Sequence, residues 1–145
     1  MKVLAFDISK KSTGVAYYDG GFDGLEAIQF KNSVQWGNKV VDLLELWSPD
    51  VVTFSETVNR MCSHTTKRIM FGLMYHLEHI TFKRGITIIP INDTKAKHTI
   101  GVKMKNRVQI KADTINWANQ FDKVELDDIA DAMCFAHYIY YATNE

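Results

Sequence analysis

The sequence predicts an α/β domain: a five-stranded mixed sheet in which a three-strand antiparallel meander is followed by alternating helices and parallel strands, with helices on both faces. Three observations lead there. "KVLAFDIS" (2–9) is almost continuously apolar, as expected of a strand buried on both sides. Two more strand-like segments follow across short turns. Beyond them the apolar period lengthens, and helical stretches alternate with short β-branched runs.

Taken in order, "TGVAYYD" (13–19) and "LEAIQF" (25–30) are the second and third strands, separated by the turn-rich "GGFDG". "GNKVVDLLELW" (37–47) carries Val40, Val41, Leu44 and Trp47 at helical spacing, and "SPD" stops it. "VVTFSE" (51–56) is a fourth strand. The long helix of residues 64–85 follows, with Ile69, Leu73, Leu77 and Ile80 along one face and Gly85 as its C-cap. "ITIIPI" (86–91) is the fifth strand. A polar, basic stretch then leads to a helix over 108–121, and "ELDDIADAMCFAHYIYYA" (125–142) forms the last helix. No repeat, low-complexity tract or linker divides the chain, so the whole of 1–145 is expected to be one domain.

A hydrophobic content of 46% over 145 residues supports a substantial core. No apolar run approaches the roughly 20 residues of a membrane span, and the start lacks a signal-peptide layout. Cys62 and Cys134 have neither metal-ligand spacing nor a disulfide-framework count, so a reducing, cytoplasmic setting is expected.

The formal net charge is zero, but it is unevenly distributed. Residues 60–111 hold eleven of the seventeen Lys and Arg against Glu78 and Asp93, a net of +9. The segments 1–59 and 112–145 carry −3 and −6. A basic middle between acidic ends points to a polyanion partner beside a cation-binding site, or to solvated faces of opposite sign.

The acids have a pattern. Asp7 ends the first strand, Glu56 ends the fourth, and Asp128 and Asp131 share a helical face at i, i+3. Asp127 beside them is expected as the helix N-cap. Strands one and four can be sheet neighbours, with the last helix laid across their ends. Four carboxylates gathered so would repel and need a counter-ion. An oxygen-only set suits Mg²⁺ or Mn²⁺ rather than zinc. Two such ions can clamp the attacking and leaving oxygens of a phosphodiester hydrolysis. None of the five histidines has zinc-site company; His76, His79 and His137 are placed as helix residues away from the acids.

"VLAFDISKKSTGVAYYD", "SPDVVTFSETV" and "DDIADAMCFAHY" together resemble the RuvC family of Holliday-junction resolvases, within the RNase H-like superfamily. That family opens on an Asp-bearing strand, a basic turn and a Thr-Gly. It places a Glu after a Pro-Asp-Val-Val-like strand and ends with an Asp-x-x-Asp-Ala helix. The ordered set spans nearly the whole chain, and the short length resembles a phage-type member, acting in its host's cytoplasm. The resemblance implies a metal-dependent endonuclease for branched DNA, with Asp7, Glu56, Asp128 and Asp131 holding two Mg²⁺ ions per site and Mn²⁺ as a substitute.

"NDTKAKHTIGVKMKNRVQIK" (92–111) is similar to the family's basic segment before the penultimate helix, with Lys97, Gly101 and Lys105 as the matches. Lys and Arg there neutralise phosphates without reading bases, Lys105 foremost, with Lys97, Lys103 and Arg107 alongside. Lys10 and Lys11 after Asp7, and Arg60, Lys67 and Arg68 after Glu56, are further expected backbone contacts. Cellular resolvases carry an aromatic that stacks at the junction centre; Asn59 stands at the nearest matching place here, a departure from the pattern. Met70, Phe71, Met74 and Tyr75 give the long helix a second apolar face, and the resemblance implies a homodimer, since two cuts across a four-way junction need two sites.

Other classes compete. A YqgF-like RNase H-fold nuclease acting on RNA also opens with Asp, a basic turn and Gly-Val-Ala. An ATP-binding lobe of the actin and sugar-kinase type shares the first hairpin but needs two lobes. A non-catalytic junction-binding protein would not need four acids near phosphates.

Overall fold

The computed structural model describes residues 1–58 and 61–143. The opening apolar run forms β1 (Val3–Ile8), the central strand of a five-stranded sheet ordered β3-β2-β1-β4-β5. β2 (Ser12–Tyr18) and β3 (Phe22–Gln29) continue it as an antiparallel meander. β4 (Val51–Ser55) and β5 (Thr87–Ile91) add parallel strands on the other side. The predicted mixed sheet is therefore present, with β1 and β4 side by side.

Two helices make the crossovers, α1 (Ser33–Trp47) between β3 and β4, and α2 (His64–Lys83) between β4 and β5. Their apolar stripes bury Trp36, Val40, Leu44, Leu73, Leu77 and Ile80 against Leu4, Phe6, Val52 and Phe54. Val3, Ala5, Ala16 and Val51 point to the opposite face, where α5 (Asp127–Thr143) packs Ala130, Met133, Cys134, Phe135 and Ala136 onto them. Both faces of β1 are thus covered, which is why its sequence reads as an apolar run rather than an alternation.

Local signals set the helix ends. Asn32, Ser63 and Asn106 each accept a hydrogen bond from a first-turn N–H as N-caps of α1, α2 and α4 (Arg107–Ala118). Gly85, expected as a C-cap, takes φ +67° one residue past the cap Arg84. No helix of the described residues is long and apolar enough to cross a membrane.

The elements differ from expectation at several points. β3 starts at Phe22, inside the segment that composition marks as a turn. Gly24 sits in that strand because a Cβ there would run into the Trp47 ring, which stacks on Tyr17 with centroids 4.4 Å apart. The last helix starts at Asp127, and the Ala130 amide donates to the Leu126 carbonyl, so Asp127 is a first-turn residue rather than the N-cap. The basic stretch also contains a helix, α3 (Asp93–Thr99), where sequence suggests only a loop. Asn92 caps it, and an Asp93–Lys97 pair at i, i+4 offsets the lack of an apolar stripe.

Candidate active site

The site begins with strand register. Asp7 is on the face of β1 that carries Val3 and Ala5, the face covered by α5. Its partner across the antiparallel ladder is Gly14. A Cβ on Gly14 would collide with the main-chain carbonyl of Asp128. The first turn of α5 therefore rests on bare backbone, and the missing side chain brings Asp128 and Asp131 beside Asp7. Ser12, two residues before Gly14, donates its hydroxyl to Asp128 Oδ2 at 2.6 Å and fixes that carboxylate's orientation. The Thr-Gly of the sequence motif thus has a steric purpose: it makes room for the acidic turn.

α3 supplies the countercharge. Lys97 is only 6% exposed, and its Nζ lies 3.1 Å from Asp93 Oδ1 and 3.2 Å from Asp131 Oδ1. Burial works against its charge, but Asp131 and Asp93 outweigh it and hold the ammonium pKa above the usual lysine value. Asp93 Oδ2 accepts from the same ammonium at 3.2 Å, whereas Oδ1 is buried outside hydrogen-bonding alignment. One lysine does not neutralise the group. Burial, reinforced by Asp131, Asp128 and Asp93, pushes the Asp7 carboxyl well above its ordinary range, with Lys97 opposing. Burial likewise pushes Asp131 up to about 6 despite Lys97. A further cation beside them would lower the cost of their ionisation.

Asp7, Asp93, Asp128 and Asp131 line one cleft of about 760 Å³. Lys10, Lys11, Lys105 and Arg107 line it with them, so five of the expected DNA contacts, Lys97 included, come together around the acids. Lys97 is deployed inward, on two aspartates, rather than as a free surface cation. Glu56, one residue past β4, is exposed and outside the cleft lining, although its neighbours Ser55 and Thr57 are within it. By strand alternation Val52, Phe54 and Glu56 share the parity opposite to Asp7. Arg68 lines a second cavity, and Lys67 and Lys103 line neither. Arg60 and Asn59 lie outside the described residues.

Two cleft residues escaped the sequence. Asp93 was hidden in a Lys-rich stretch; the available signal was Asn92-Asp93 followed by Lys97 one turn on. Lys111 pairs with Asp127 at 3.0 Å on the cleft edge. Among the described residues, no three His, Cys, Asp or Glu side chains are already closed around a single point as a metal site; the Lys97 ammonium stands between two of the acids. His137 packs against the rings of Tyr18, Trp117 and Tyr141, and His76 against Trp36.

The strand order, the acid-ended central strand and the C-terminal helix across it define the RuvC-type arrangement of the RNase H-like fold. Solved structures bear this out. RuvC of T. thermophilus in complex with a Holliday junction substrate superposes with a TM-score of 0.80 at 13% identity, covering 99% of this chain and 96% of that one. The Fowlpox virus resolvase bound to Holliday junction DNA gives 0.70 at 18% identity, with both chains covered over 100%. The yeast mitochondrial Holliday junction resolvase Ydc2 gives 0.65 at 14%, covering 94% of this chain and 76% of that one. No protein-family model matches the chain, and no curated protein matches it in sequence.

Proposed function

We propose that the protein is a metal-dependent, structure-selective endonuclease that cleaves branched DNA and resolves four-way junctions by paired phosphodiester hydrolysis. The observation that carries this reading is the joining, in one cleft, of half-buried carboxylates lacking full countercharge and a rim of Lys10, Lys11, Lys105 and Arg107. The solved structures of this fold bound to Holliday junctions favour branched DNA over other polyanions.

The donor chemistry suits Mg²⁺, with Mn²⁺ as a hard-oxygen substitute: the carboxylates of the cleft are oxygen donors, and Asp7 is costly as an anion without a cation. Asp7, Asp128 and Asp131 would hold the ions, with Asp93 in the same cleft; Glu56, expected from the sequence as a fourth ligand, is exposed outside the cleft lining and would have to turn inward to join them. When bound, the ions supply a lowered pKa for water and charge neutralisation at the leaving oxygen. The chain's own groups do the rest. Ser12 orients Asp128, Lys97 restrains Asp131, and the rim cations draw the strand in and hold its phosphates.

A synthetic four-way junction, linear duplex, flap and structured RNA, each with Mg²⁺ and with EDTA, test the proposal. Paired, metal-dependent nicks confined to the junction are expected. Binding without cutting would reduce the protein to a junction-binding module, and cutting of RNA alone would transfer it to the RNA-acting nucleases.

The proposal includes a homodimer. On α2, Met74 is buried and Met70 lines the cleft, but Phe71, Tyr75 and Phe82 form an outward stripe, 42%, 67% and 81% exposed. Large aromatics aligned in this way favour burial against a second copy. Tyr75→Glu is expected to convert a sedimenting dimer to monomer and to replace paired nicks by single ones. A monomeric parent protein would rule this interface out.

A further inference from the structure

A second cavity, of about 550 Å³, lies across the β1–β2 turn from the acidic cleft. Lys10 and Lys11 line both, so the two spaces meet at that turn. Their chemistry differs. The second cavity gathers Lys10, Lys11, Lys31 and Arg68 and has no acidic side chain in its lining among the described residues. None of these four cations forms an ion pair with a described residue. The first turn of α1, which borders the cavity, also lacks an acid, whereas the first turn of α5 at the other cleft has two. Like charges left unpaired around a concavity repel one another, and an anion relieves that repulsion. Between the cations, Phe30 and His76 contribute aromatic surface to the wall.

Resting on the nuclease reading above, we propose that this cavity is a second strand site, which takes one unpaired nucleotide of the same DNA strand a few positions from the scissile phosphate. Its phosphodiester lies on Lys31, Arg68 and the shared Lys10 and Lys11, and its base lies against the aromatic wall. The volume accommodates a nucleotide and not a duplex. Aromatic wall plus cationic rim is the combination by which single strands are held without sequence readout. A nucleotide is unpaired and unstacked at less cost beside a branch point than within continuous duplex, so the site gives the protein a physical means of preferring branches.

The test is a binding walk in EDTA. Each phosphate near the cut is replaced singly by a neutral methylphosphonate, and affinity is measured for the wild type, Lys31→Ala and Lys39→Ala. Lys39 is an exposed cation on α1 outside the cavity. One replacement, away from the scissile position, is expected to weaken the wild type roughly threefold to tenfold and to have no further effect in Lys31→Ala. Lys31→Ala should also lower the salt slope by about 1, while Lys39→Ala behaves as wild type. Identical phosphate profiles and slopes for the two variants, in a protein that still cuts junctions, would overturn the strand site alone. A wild type that neither binds nor cuts branched DNA would remove the nuclease reading, and this inference with it.

Discussion

Asp7→Asn is expected to abolish junction cleavage, by at least about 10³-fold, while junction binding is retained. The substitution removes the one carboxylate that β1 delivers to the cleft and keeps its shape. Its effect on stability should have the opposite sign. Asp7 and Asp131 both have folded-state values raised above those of the unfolded chain. Between about pH 4 and pH 6, the metal-free fold therefore binds more protons than the unfolded chain, and these groups make it less stable as pH rises. Asp7→Asn removes one of them. In EDTA the variant should be more stable than wild type by on the order of 1 kcal/mol, with the gap widening as pH rises through that window. Mg²⁺ should stabilise wild type most at the alkaline end and the variant little. Thermal melts at several pH values, with and without Mg²⁺, read all of this. Unchanged cleavage by Asp7→Asn would remove it from the chemistry.

Gly14→Ala carries the largest expected structural effect. The added methyl has no flexible neighbour to push aside; it meets the main chain of Asp128 and the amide of Ile129. Either β2 or the first turn of α5 must move, at a cost of about 3 kcal/mol or more. In a chain of this length that lowers Tm by about 10 °C. The loss of activity should exceed what unfolding explains, because the displaced turn carries Asp128 and Asp131, and an ångström-scale shift of catalytic groups costs about 10²-fold. Gly21→Ala is the control: nothing lies within 4 Å of a Cβ there, and its stability should stay within about 0.5 kcal/mol of wild type. Equal melting temperatures for the two variants would mean that α5 does not rest on β2 as described.

Much of this arrangement was legible before the fold was known, for identifiable reasons. β1 was readable because a strand covered on both faces leaves an apolar run, and an acid interrupting it at Asp7 stands out. α5 was readable because its acids occupy one turn and its apolar residues the rest. α3 was not, because its seven residues are too few to show a period and are held by a cap and an ion pair. With α3 went Asp93 and the inward use of Lys97, since a lysine's destination depends on which acids the tertiary fold brings to it. The first residues of β3 were masked for a related reason: Gly24 looks like turn composition, and the ring that requires a glycine there is Trp47, more than twenty residues away in sequence.

Lys97 has one more consequence. Because its ammonium already stands between Asp93 and Asp131, part of the cleft's negative charge is balanced by the chain itself, from the moment α3 docks on α5. The domain is therefore expected to assemble without a divalent ion. On the nuclease reading proposed above, protein folded in EDTA should begin to cut when Mg²⁺ and a junction are added, with no refolding step.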